Sequence, residues 1–220
     1  MELSDVKAIL ENADSQERLK GVVALKDYDA DVASPLLLSI KDDPAFLVRS
    51  FVAMGLGRKR SEAGFEALLT MINDDADANV QAEATNSLAM YGSDSIPHLV
   101  STFHSNHNWL VRRSILAAMI DLKSPPHMLE ICLVAIEDQD LTVINAGVDH
   151  LSTLANTDQA GAALAAILPL KAAENWYTRM HVAYALKRFD APAAKEALIE
   201  LRQDKQHKVV AAALEGLMPD

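Results

Sequence analysis

One phrase recurs along the chain and limits what the chain can fold into. Phe46-Leu47-Val48-Arg49-Ser50-Phe51-Val52-Ala53-Met54 returns as Trp109-Leu110-Val111-Arg112-Arg113-Ser114-Ile115-Leu116-Ala117-Ala118-Met119, and again as Trp176-Tyr177-Thr178-Arg179-Met180-His181-Val182-Ala183-Tyr184-Ala185-Leu186. With Val48 as an anchor, equivalent positions fall at Glu17, Val48, Val80, Val111, Val143, Thr178 and Val209, spaced by 31, 32, 31, 32, 35 and 31 residues. A period near 30 signals a repeat architecture, in which each unit buries its apolar face only on its neighbours.

The internal pattern of the repeat is helical. The fourth residue after each anchor is Gly21, Val52, Ala84, Ile115, Gly147, Val182 or Ala213, and the eighth is Leu25, Leu56, Leu88, Met119, Leu151, Leu186 or Leu217. Positions zero, four and eight share one helix face, so they predict a buried stripe whose small members let a neighbouring helix come close. Three residues before the anchor stand Asp14, Ala45, Asp77, Asn108, Asp140, Asn175 and Gln206, mostly residues that cap a helix N-terminus. Asp14 and Glu17 have capping-box spacing. At the Ala45 exception, Asp43 or Pro44 is expected to stand in.

Each of these helices follows another apolar segment: 5–11, 35–41, 62–72, 94–103, 126–136, 158–170 and 192–201. Pro35, Pro97, Pro126 and Pro192 are placed in first helical turns, where the missing N–H costs nothing. Pro169 and the residues after it account for the longer 35-residue spacing. No segment alternates with period two over a strand's length. The predicted fold is all-α: a right-handed α-α superhelix of about seven helical hairpins, a single repeat domain over 1–220, with the first and last units as caps.

Composition narrows the function. A net charge of −11 argues against a nucleic-acid or anionic-membrane partner, since phosphate binding needs concentrated Lys and Arg. One cysteine, Cys132, excludes an intramolecular disulfide framework and fits a reducing compartment. No apolar run reaches the length of a membrane span. A cytoplasmic protein is expected.

The phrase Asp-x-x-Val-Arg-x-x-Ala-Ala-x-x-Leu resembles the HEAT-like repeat of phycobilisome lyases. Arg18, Arg49, Arg112 and Arg179 occupy its Arg position, whereas Gln81, Ile144 and Val210 depart from it. The segments 79–84, 108–111 and 174–181 resemble the cyanobacterial phycobilisome-degradation family of the NblB type. That resemblance implies a binding module for phycobiliprotein subunits or another protein partner, acting in phycobilisome degradation. It also implies transient contact with a bilin such as phycocyanobilin, and no resident cofactor. Two alternatives stay open. One is a bilin lyase or lyase subunit acting on the bilin–cysteine thioether; the other is a general HEAT-like scaffold.

Three constellations are candidate sites. The repeated Arg either bridges to an acidic or cap residue of the adjacent unit, forming a ladder, or binds a carboxylate such as a bilin propionate. Arg112 and Arg179 are the positions in question. The column of Phe46, Trp109 and Trp176 either staples helix entries or stacks on a partner. Positions three, six and ten face away from the stripe and are expected to line a concave groove. They hold Phe51, Met54 and Arg58 in the second unit and His181, Tyr184 and Arg188 in the sixth, with Ser114, Ala117 and Asp121 between.

Other chemistry is weakly represented. His104 and His107 could supply two metal ligands, but no Cys or carboxylate stands at matching spacing. His150 is expected to be partly enclosed. Cys132 lies in an apolar helix and reads as a buried thiol. No Ser-His-Asp set or phosphate loop is present, so catalysis is not encoded in a local motif.

Overall fold

The computed structural model describes residues 2–215, and its fold class is all-α, that of an α-α superhelix. Leu217, the last member of the stripe, lies outside the described residues. Among the described residues fourteen α-helices are joined by loops and four short 3-10 turns, and the chain divides into two compact units, residues 1–122 and 123–220.

In the first unit the helices are α1 (Leu3–Leu10), α2 (Ser15–Ala24), α3 (Ala30–Ser39), α4 (Phe46–Arg58), α5 (Glu62–Asp74), α6 (Ala78–Ala89), α7 (Ile96–Ser105) and α8 (Trp109–Leu122). The even-numbered helices stack in succession as one layer, and α3, α5 and α7 form the other. The second unit repeats the plan. Here α10 (Leu141–Thr153), α12 (Trp176–Leu186) and α14 (His207–Leu214) stack in succession, backed by α9 (Pro125–Ala135), α11 (Ala160–Ile167) and α13 (Pro192–Leu201). The 35-residue spacing is taken up by a 3-10 turn at Leu168–Ala172 containing Pro169.

The stripe is the core. Val48, Val80, Val111, Val143 and Val209 are buried, as are Leu25, Leu56, Leu88, Met119, Leu151 and Leu186. The small residues do what close packing asks of them. A methyl group added to Gly147 would stand 2.8 Å from the Ala135 Cβ, and one added to Gly57 would stand 2.9 Å from the Ser87 Cα. Only glycine therefore lets α4 lie this close to α6.

Two local expectations are corrected. Pro35 is not in a first turn: α3 begins five residues earlier at Ala30, so the proline sits in its interior, where its missing N–H leaves one backbone bond unmade. The capping box at Asp14 does not close. Asp14 accepts from the Gln16 N–H, its own N–H donates to Asn12 Oδ1 at 2.8 Å, and Glu17 pairs instead with Lys20. The other caps form as expected at Asp77, Asn108, Asp140 and Asn175.

What sets hairpin on hairpin is a polar ladder. The Arg after each anchor first closes its own turn: Arg49 donates to the Asp43 carbonyl at 2.8 Å, and Arg179 to the Ala173 and Glu174 carbonyls at 2.7 and 2.9 Å. The same guanidinium then reaches the next hairpin. Arg18 grips Asp43 at 2.5 and 2.8 Å, Arg49 grips Asp75 at 2.6 and 2.8 Å, and Arg179 grips Asp204 at 2.6 and 2.9 Å. These are forked, charge-assisted bonds, the geometry guanidinium and carboxylate match best.

The acceptors form a column five residues before each anchor: Asn12, Asp43, Asp75, Asn106, Asp138, Ala173 and Asp204. Sequence reasoning missed it, although the period was in plain view. Each Asx member also accepts the backbone N–H two residues on, as Asp43 does from Ala45 and Asp204 from Gln206, both at 2.8 Å. Asp43 thus organises the turn before α4 and does not cap the helix itself. Where the Arg becomes Gln81, the acceptor becomes Asn106, whose amide donates to Gln81 Oε1 at 3.1 Å. Where it becomes Ile144, the acceptor position holds Ala173. The two sides of a rung change together.

The ladder sets the acid stability. Hydrogen bonds from Arg18 hold the Asp43 carboxyl below its usual range, and Arg179 does the same for Asp204. Burial pushes Asp75 upward, but Arg49 and the Asp77 N–H more than offset it. Carboxyls depressed in the folded state add stability above the unfolded value, about pH 4, and lose it as pH falls through the folded value. The urea midpoint should therefore hold near neutral pH and drop below about pH 4. Asp75→Ala should cost about 1.5–3 kcal/mol, the range for hydrogen bonds to charged groups. Adding Arg49→Ile, which copies the apolar Ile144–Ala173 pair, should recover part of that loss in a double-mutant cycle read by urea denaturation.

Candidate functional site

The predicted site residues fall into three environments. Arg112 and Arg179 are interior, 7% and 6% exposed. Arg179 spends its donors on Asp204 and two carbonyls, as above. Arg112 donates through Nε to the Asn106 carbonyl at 2.8 Å, lies 2.9 Å from His107 Nδ1 and stands 5.2 Å over the Phe103 ring. Of the two readings of the repeated Arg, Arg179 takes the ladder one, and Arg112 is bound to the turn before its own helix; burial of a guanidinium requires that its donors be satisfied within the fold.

The aromatic column is at the surface. Phe46 and Trp109 occupy the first positions of α4 and α8 and are 47% and 44% exposed. Trp176 opens α12 half-buried, its ring edge-on to Tyr177 and under the Lys208 ammonium at 5.1 Å.

Positions three, six and ten are the third environment. In the first unit, Phe51, Met54 and Arg58 line a hollow of about 390 Å³ with Val22, Val23 and Leu37. The contributions of α2 and α3 were not foreseen, since tertiary stacking alone brings Leu37 against Gly55. One wall is fastened by Lys59, whose ammonium donates to the Lys26 carbonyl at 2.8 Å and to that of Tyr28. Lys26, Arg58 and Lys59 also line the hollow, against a single acid, Asp27.

In the second unit, α12 presents His181, Tyr184 and Arg188. Tyr184 is 44% exposed and Arg188 is exposed, whereas His181 is largely covered. His181 Nδ1 lies 2.7 Å from Asp149 Oδ1, Tyr177 stacks edge-on at 4.7 Å, and the Lys187 ammonium sits 4.9 Å from the Tyr184 ring centre. Asp149 was missed, yet it holds position six of its own helix, the position the groove argument singles out. The structure thus gathers Phe51, Met54 and Arg58 in one hollow and His181 with Tyr184 on one helix.

Titratable chemistry is sparse. Among the described residues no group of three or more His, Cys, Asp or Glu could hold a metal ion, and His107 Nδ1 lies beside the Arg112 guanidinium. Burial pulls His150 down, which keeps it neutral. Burial drives the Cys132 thiol far above its ordinary value, so no thiolate forms near neutral pH. No described helix is long and apolar enough to cross a membrane.

Comparison with known proteins supplies the context. A family model described as HEAT repeats matches residues 33–120 and 126–218. The crystal structure of Escherichia coli YibA superposes with a TM-score of 0.64 at 16% identity, over 96% of this chain and 80% of that one. Human deoxyhypusine hydroxylase, solved with glycerol, gives 0.49 at 15% identity over 97% and 94%, and an engineered protein gives 0.37 at 15% identity over the same shares. Only the first is similar enough to bear on the fold, and at that identity it bears on the fold alone. No curated protein sequence matches this chain.

A thiol reagent at pH 8 should leave Cys132 unmodified in the native protein and should titrate one thiol per chain in denaturant, read by the absorbance of the released chromophore.

Proposed function

The chain belongs to the HEAT-repeat family, and from that premise we propose that it is a docking scaffold gripping another protein along the outward side of its second helices. One observation carries the proposal. The stripe and the ladder consume the repeating residues, while positions three and six vary from unit to unit and in α4 and α12 hold large side chains, Phe51, Met54 and Tyr184, that the fold does not need buried. Side chains of this kind, partly exposed beside cations, concentrate binding energy at interfaces.

The partner we propose is a phycobiliprotein subunit. The resemblance of segments 79–84, 108–111 and 174–181 to the phycobilisome-degradation family supports that assignment. The hollow beside Phe51 and Met54, with Lys26 and Arg58 at its rim, has the apolar floor and cationic edge that suit a tetrapyrrole bearing propionates, so the bilin is proposed as a transient contact. The scaffold then assists disassembly by holding the pigment protein, the reactive cysteine being the partner's.

Gel filtration with phycocyanin tests this. Co-elution is expected, with affinity reduced roughly 10- to 30-fold by Met54→Asp or Tyr184→Ala, the loss of a hot-spot side chain. Phycocyanobilin mixed with the protein should show an absorbance shift that Met54→Asp weakens. Absence of both signals removes the phycobiliprotein and leaves the scaffold.

A further inference from the structure

The rung between the fifth and sixth repeats is built differently from the rest of the ladder. Its donor position holds Ile144 and its acceptor position Ala173, where other rungs pair Arg18 with Asp43, Arg49 with Asp75, Gln81 with Asn106 and Arg179 with Asp204. At the Arg179–Asp204 rung a hollow of about 380 Å³ is lined by charged side chains, Lys171, Glu174, Arg179, Asp204 and Lys205. Here the notch, about 490 Å³, has a mainly apolar lining of Ile136, Leu141, Ile144, Leu170 and Ala173, with Glu174, Asn175 and Thr178 at its polar side.

This departure has a cost. The rung gives up forked charge-assisted bonds, and beside it Leu141, in the exposed register of Phe46 and Trp109, is 43% exposed in the first turn of α10. Local rules that are broken at both partner positions together, with an apolar surface left open, mark a site that serves something outside the fold.

We infer that this notch receives an apolar side chain from a basic segment of a protein partner, an inference that rests on the docking role proposed above and gives that role a specific contact. The charge of the rim selects the occupant. The lining contains one charged side chain, Glu174, and no cation. Exposed Glu137 follows Ile136 directly, and Asp140, its carboxyl held low by the Thr142 hydroxyl, directly precedes Leu141. Lys171, which follows the lining residue Leu170, pairs with Glu200 at 2.5 Å, and Arg179, which follows the lining residue Thr178, pairs with Asp204. An apolar floor under a carboxylate rim fits a Leu or Phe flanked by Lys or Arg, and rejects the same residue flanked by acids.

The test titrates the isotope-labelled full chain with the peptide Lys-Lys-Leu-Phe-Lys-Lys and, as its counterpart, the same core flanked by Glu, following amide shifts by NMR. The basic peptide is expected to move the amides of Leu141, Ile144 and Asn175, and the acidic one to leave them still. The variant Ile144→Arg with Ala173→Asp rebuilds a charged rung, so it should keep or raise the urea midpoint while weakening the peptide at least tenfold. Leu141→Ser, a surface change, should weaken it in an otherwise unaltered spectrum. Equal shifts from both peptides, shifts that persist in these variants, or no shift at millimolar peptide would overturn the notch. Retained phycocyanin co-elution alongside such a failure sinks this inference alone, whereas loss of co-elution with the notch intact sinks only the phycobiliprotein assignment.

Discussion

A guanidinium with two obligations holds the repeats in place. Arg49 closes the turn before its own helix through the Asp43 carbonyl and reaches across to the Asp75 carboxylate of the next hairpin. Its planar fork makes both contacts at once, which a lysine ammonium on a flexible stem could not do with the same geometry. The carboxylate in turn organises the following turn by accepting the Asp77 N–H. Each such rung therefore ties the entry of one helix to the turn before the next, beside the apolar stripe that packs the helices together.

That division of labour explains where function can reside. Residues that recur do so because they build the stack: the mostly Val anchors, the Leu or Met eight residues on, and, at most rungs, the Arg or Gln and its Asx acceptor. Function is left to positions the ladder and stripe do not use, and to rungs where the ladder is relaxed. The hollow at Phe51 and Met54 is of the first kind. The notch at Ile144 and Ala173 is of the second, and its altered residues lie on two different hairpins.

The candidate site was legible in part. Phe51, Met54 and Tyr184 could be placed outside the stripe by helical periodicity, and their surfaces are partly open. Arg112 and Arg179 could not be sorted from sequence, because a repeated Arg at a helix start suits a ladder and a ligand equally. Its role depends on whether an acid of the next hairpin arrives within hydrogen-bond distance. His181 shows the same limit: Asp149, 32 residues away, covers it.

By itself the sequence determined the all-α class, the seven-unit register, the buried face of each second helix and most of the N-terminal caps, because these follow from local spacing and from hydrogen bonds within a few residues. It also carried the acceptor column five places before each anchor, which is visible once its partner is known. Tertiary structure decided the rest. It set which Asx each Arg grips, it brought α2 and α3 to the hollow beside Phe51, and it opened the notch where Ile144 meets Ala173. Those are contacts between residues far apart in sequence, such as Leu37 with Gly55 or Arg18 with Asp43, and only the packing of helix on helix brings such residues together.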